Sequence, residues 1–243
     1  MNRKFSKTLT VAIANLCLLH LAAPLIRAQD AAQPYPAMAP LEKYLMADRD
    51  TEIALARSAA PPAISKDAEV IVLGKDGYQT AVEGKNGFTC VVERAWMNPV
   101  DSSEFWNPKT RGPICYNPQA SRSILPYTIL RTKLALKGLT RAQIAESMKA
   151  AFVSNQIPLP EPGAMSYMLS KDGYLGDSVG HWHPHLMFHI PNASAASWGA
   201  NLPDSPIFLI PPGPEPESIF LVPVDHWSDG TAFTASASET HQH

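Results

Sequence analysis

Four imidazoles at even spacing mark the segment His181-Trp182-His183-Pro184-His185-Leu186-Met187-Phe188-His189-Ile190. Side chains alternate along a strand. An extended backbone here therefore predicts His181, His183, His185, Met187 and His189 on one face, with Trp182, Pro184, Leu186, Phe188 and Ile190 on the other. Residues two apart on one face stand about 6.5 to 7 Å from each other at the backbone, so two imidazoles can lean onto one ion at about 2 Å. Neutral imidazole suits zinc, copper, iron and nickel, and the soft thioether of Met187 tilts the choice toward copper. The expectation is a zinc or copper site on His181, His183, His185 and His189. Asp177 and Asp172 before the segment, His226 beside Asp225 after it, and Glu93 far upstream are candidates for an additional ligand or a general base. An open coordination position would turn bound water into a nucleophile near neutral pH, which is the route to hydrolysis. The plainer alternative is a set of histidines satisfied by hydrogen bonds alone. Pro184 lacks an N–H and predicts a sheet edge or a bulge.

The elements that must position these residues can be read from periodicity and turn chemistry. Residues 40–58 carry a helical pattern, with Pro40 in the first turn and Leu41, Leu45, Ile53 and Ala56 along one stripe, stopped at Ala60-Pro61-Pro62. Three apolar runs follow at residues 69–73, 78–82 and 88–96. Lys75-Asp76-Gly77 and Gly84-Lys85-Asn86-Gly87 separate them and predict an antiparallel meander. Residues 97–126 hold five prolines and three Asn-Pro steps and are expected to be an irregular loop. A helix is predicted from about Thr128 to Lys137, ending at Gly138. A second starts at Thr140, with Gln143 at capping-box spacing and Ile144, Met148 and Phe152 as its buried stripe. Further strands are expected at residues 164–169, 207–210 and 218–222. The pattern as a whole predicts one α+β domain, mostly antiparallel sheet with two or three packed helices; its closest alternative is a small distorted barrel.

The first residues are an export signal by pattern. Arg3, Lys4 and Lys7 precede a mostly apolar stretch from Leu9 to Leu25, and Ile26-Arg27-Ala28 offers a small residue for cleavage. Asn15, His20 and Pro24 interrupt the stretch, which falls short of the roughly 20 clean residues of a spanning helix. The expected layout is a signal peptide at residues 1–28, a flexible lead-in at 29–39, a globular domain at 40–229 and a disordered tail at 230–243. That makes the mature chain periplasmic or extracellular, with no stable membrane insertion. Cleavage removes Arg3, Lys4, Lys7 and Arg27 and no acid from 20 Lys+Arg and 22 Asp+Glu, leaving 16 against 22, or -6. An acidic balance argues against a nucleic-acid partner. Cys90 and Cys115 remain as an even pair, which in an exported chain predicts one disulfide.

Two short resemblances surround the histidines. His181-Trp182-His183-Pro184 resembles the His-x-His-Pro of JAMM zinc isopeptidases, but Ser194 is followed three residues on by Ser197 where that family has Asp. The His-x-His after Gly180 resembles the opening of a cupin metal motif, without the glutamate that follows it in the same strand. Each covers a few residues, and no functional residue carries over from either. No phosphate loop, G-x-G-x-x-G or G-x-S-x-G elbow follows a strand. Three function classes stay open: a non-catalytic exported metal-binding protein, a metal-dependent hydrolase on the same histidines, and a structural or interaction protein without metal.

Overall fold

The computed structural model describes residues 34–210 and 215–234. The expected signal peptide and the start of the lead-in, residues 1–33, lie outside the described residues, as does the tail from 235. The chain opens with a 3-10 turn, Leu41–Lys43, and α1, Arg49–Arg57. The single helix expected over 40–58 is split because the Asp48 carboxylate accepts from the N–H groups of Asp50 and Thr51, starting a new helix there. Pro62 then stands at the first position of α2, Pro62–Ser65, so the proline pair ends one helix and begins another.

β1, Glu69–Gly74, and β2, Gly77–Val82, form the expected hairpin, with Gly77 at φ 118° in its turn. The next strand corrects the meander. β3, Thr89–Glu93, does not continue beyond β2 but pairs with the other side of β1, in parallel. The connection crosses the start of β1, with Lys85 N–H bonded to Asp67 O at 2.7 Å. Gly84 passes so close that a Cβ would sit 2.3 Å from Glu69 N, which only glycine permits.

The expected long loop also acquires structure. After a 3-10 turn at Ala95–Met97 it yields β4, Gly112–Tyr116, antiparallel to β3, and α3, Pro118–Ser123, capped by the Asn117 side chain. Asn-Pro, read as turn chemistry, here starts a helix, with Asn as cap and Pro in the first turn. α4, Leu125–Leu136, ends at Gly138 with φ 76°, and α5, Arg141–Val153, has the predicted Thr140/Gln143 capping box. β5, Met165–Met168, and β6, His185–Pro191, follow, then the short α6, Ala195–Trp198. β7, Phe208–Leu209, and β8, Glu217–Pro223, complete one sheet in the order β2-β1-β3-β4-β5-β6-β8-β7.

This is an α+β fold with a mostly antiparallel sheet. Alternation sorts the central strands into two faces. Val70, Cys90, Val92 and Cys115 pack with Ala56 of α1 on one face. Val91, Ile114, Tyr116, Met168 and Met187 pack with Ala120 and Leu125 of α3 and α4 on the other. Cys90 and Cys115 are directly opposed in the register and joined by the expected disulfide, so the bridge ties strand to strand rather than loop to sheet. The lead-in is tied down from Tyr35, whose carbonyl accepts from Arg141 at 2.8 Å. At the described end of the tail Phe233 packs on Trp227 and on the ring of His183. Among the described residues no helix is long and apolar enough to cross a membrane.

Candidate functional site

The alternation expected for the histidine segment holds from His185 onward. His185, Met187 and His189 point inward, 6, 8 and 2% exposed, beneath α3 and α4. His181 and His183 lie before the strand and are exposed. Trp182 causes the break. Its ring turns into the core, its Nε1–H donates to Met168 O at 3.0 Å, and Gly173 packs so tightly that a Cβ there would meet the ring at 2.1 Å. Pro184 stands just ahead of β6, so its missing N–H costs no ladder bond, and β6 is a central strand although Pro184 predicted an edge or a bulge. Among the described residues no group of three or more His, Cys, Asp or Glu side chains is arranged to hold a metal ion. His185 and His189 are four residues apart on one strand, about 13 Å at the backbone.

The partners of both buried imidazoles make Nδ1 the donor in each. His185 Nδ1 lies 2.7 Å from His183 O, and a carbonyl only accepts, so Nδ1 carries the hydrogen and Nε2 is left with its lone pair. Burial first, and the neighbouring His183 after it, push the His185 pKa down to about 4 against the backbone hydrogen bond that raises it. His189 Nδ1 stands 2.5 Å from Glu217 Oε1, and its Nε2 stands 3.0 Å from Ser166 Oγ. The Glu217 carboxylate makes Nδ1 the donor, and in the neutral ring Nε2 then accepts the Ser166 hydroxyl hydrogen.

Three neighbouring strands build this chain of contacts. Ser166 comes from β5, His189 from β6 and Glu217 from β8. Ser166 is in register with Met187, and Glu217 with Pro191, so the relay runs diagonally across the sheet face, a reach that long side chains bridge. Ser166 is fully buried, and the Glu217 side chain retains 10% exposure.

A second polar group adjoins the relay. Tyr116, opposite Ser166 in the β4 register, has its ring centre 6.4 Å from that of His189 and donates from its hydroxyl to Glu93 Oε1 at 2.5 Å. Thr128 of α4 donates to the same oxygen at 3.0 Å. Burial raises the Glu93 pKa, opposed by those two donors and by the Arg131 charge. Burial and the Glu93 charge hold the Tyr116 hydroxyl well above its ordinary value. One turn along α4, Arg131 is 3% exposed. It donates to Tyr127 Oη and, at 2.6 Å, to Asn98 O, and its carboxylate neighbour Glu215 is 3.8 Å away. This density of buried polar groups beneath one helix is costly unless each is satisfied, and such seams concentrate at functional sites.

Of the residues singled out from sequence, the structure brings His189 and Glu93 into one neighbourhood and leaves the others apart. Asp177 is an exposed clamp for Lys109 (2.6 Å), Tyr174 and Tyr35, and those partners hold its carboxyl far below the usual range. Asp172 and His226 are exposed, the latter bridging to Ala232. The G-x-S-x-G spacing does occur, at Gly176-Asp177-Ser178-Val179-Gly180, but it forms an exposed turn closed by Gly180 N–H on Gly176 O at 2.7 Å. It is not a strand-to-helix elbow. Sequence reasoning missed Ser166, Glu217, Tyr116, Thr128 and Arg131. The available signal was alternation: Glu217, Ile219 and Leu221 share a face, so starting that strand at 217 puts a carboxylate on the core side. A cleft of about 310 Å³ between Met38, Trp106 and the start of α5 touches none of the relay residues. Comparison with protein-family models, with curated proteins and with solved structures found no match.

Proposed function

We propose that the chain is an exported hydrolase of ester bonds, with Ser166 as nucleophile, His189 as general base and Glu217 as the acid that orients it. The supporting observation is the pair of contacts at one imidazole, 2.5 Å to Glu217 and 3.0 Å to Ser166. That order of acid, base and hydroxyl is the one in which a serine is activated on unrelated folds. As Ser166 Oγ bonds to the ester carbonyl carbon, its proton passes to His189 Nε2, and the Glu217 charge stabilises the imidazolium. The same proton then goes to the departing alkoxide. Water repeats the sequence to release the acid and restore Ser166. Ser166 has no exposed surface, so this reading requires the residues above it to part for substrate.

That burial also favours a second reading, in which the relay is a satisfied polar network that fixes strand register and catalyses nothing. A fluorophosphonate probe separates the two. The first reading expects one covalent adduct mapped to Ser166 by peptide mass spectrometry, absent in Ser166→Ala and strongly slowed in His189→Gln. A folded protein that takes no label at Ser166 ends the hydrolase reading. The zinc or copper proposal has one donor in its favour: His185 presents a bare Nε2 backed by a bond from Nδ1, the arrangement of a metal ligand. Elemental analysis before and after His185→Gln tests it, and unchanged metal content removes His185 from any site.

A further inference from the structure

Arg131 and the relay are held by carboxylates two residues apart. Glu217 bonds His189, while Glu215 bonds Tyr127 Oη at 2.9 Å and faces the Arg131 guanidinium at 3.8 Å. The two centres adjoin through one carboxyl: Tyr116, whose ring centre is 6.4 Å from that of His189, and Thr128, one turn before Arg131 on α4, both donate to Glu93 Oε1.

The Arg131 side chain is 4% exposed; its two terminal nitrogens donate to Tyr127 Oη and Asn98 O, while the carboxylate that matches its charge stands 3.8 Å away. Its Nε has no hydrogen-bond partner among the described residues. The Phe105 and Tyr127 rings lie 5.4 and 5.5 Å from its Cζ, and the Glu215 carboxylate facing it is already engaged by Tyr127. A buried guanidinium offers a planar fork suited to a carboxylate, and leaving part of that fork unused is unfavourable. Glu215 is 15% exposed and stands at the rim, where a competing anion can displace it.

We infer that Arg131 is an anion subsite beside the relay, and that the ester cleaved carries a carboxylate a few bonds from its carbonyl, as in a half-ester of a short dicarboxylic acid. The substrate carboxylate takes Arg131 from Glu215, which places the ester carbonyl toward Ser166. This rests on the hydrolase reading for the reaction, but not for the binding.

The test uses the full mature chain with monomethyl glutarate and its neutral counterpart, methyl pentanoate. Hydrolysis is followed by titration of the released acid, and binding by calorimetry on Ser166→Ala. The anionic ester is expected to show at least a ten-fold higher kcat/KM, carried by KM. Arg131→Gln is expected to bring the ratio to about one, and Arg131→Lys to restore part of it. Ser166→Ala is expected to bind monomethyl glutarate, and the double variant with Arg131→Gln to lose it. Equal kcat/KM for the two esters, or equal binding with and without Arg131, overturns the subsite. Binding that depends on Arg131 without hydrolysis supports the subsite and removes the hydrolase reading alone. Should Arg131→Gln fail to fold, Glu215→Gln is decisive. Removing the competing carboxylate is expected to tighten monomethyl glutarate binding several-fold, and unchanged affinity sinks the proposal.

Discussion

His185 is a titratable group buried in its neutral form, which makes it a pH-dependent element of stability. Its pKa is lowered from 6.5 to about 4 in the folded chain, chiefly by burial. Between those values the unfolded chain binds the proton and the folded one does not. The stability that His185 lends is therefore full above pH 6.5 and lost as pH falls toward 4, on the order of 3 kcal/mol in total. Urea unfolding at pH 7, 6, 5 and 4 measures the slope. In His185→Leu that slope is expected to flatten within this window, and an unchanged slope assigns it to another group. That His185 shares a face with Met187 and His189 was legible from strict alternation; that this face is the buried one was not, because Leu186, Phe188 and Ile190 make the opposite face the more apolar. The outward placement of His181 and His183 was not, because it depends on Trp182 finding the Met168 carbonyl and the bare backbone of Gly173, both distant in sequence.

Among the elements, α1 is held to the sheet by a buried ion pair and α5 is started by a cap, and the two differ in weight. Glu52 Oε1 meets Arg94 Nη2 at 2.8 Å and also accepts the Leu73 N–H at 3.1 Å. Arg94 further donates from Nε to Tyr44 O at 2.8 Å. Glu52→Gln leaves a guanidinium in the interior without its counter-charge and is expected to cost about 3 to 5 kcal/mol in urea unfolding. Thr140→Ala removes an exposed cap and is expected to cost about 1 kcal/mol. Comparable losses for the two variants would show that the Arg94 charge is relieved in some other way. The capping box was legible because its whole signal lies within four residues. Asp48 carries the same chemistry but was hidden inside an apolar periodicity that runs straight through it. The Glu52–Arg94 pair joins α1 to the residue just after β3, 42 positions on, so no local pattern announces it.

At the scale of the molecule, the disulfide closes a span of 25 residues across β3 and β4. Replacing both cysteines with serine is expected to lower stability by about 3 kcal/mol in the chain-entropy view. A loss near zero would mean that the strand pairing alone already restrains the unfolded chain. Mixed helices and strands with hairpin turns announced the α+β class, and the even cysteine pair announced the bridge. The parallel pairing of β1 with β3 was invisible, since Gly84-Lys85-Asn86-Gly87 reads as a hairpin turn whichever side of β1 the chain next joins. The relay was invisible for a related reason. Ser166, His189 and Glu217 come from strands that become neighbours only in the finished sheet, and no spacing in the chain records that adjacency. The place of Glu217 in β8, the last strand among the described residues, also sets an order in time. A ribosome delivers Glu93, Tyr116, Ser166 and His189 first. His189 meets Glu217 only when that strand has been made and docked, so a nascent or prematurely ended chain carries Ser166 and His189 without the carboxylate contact.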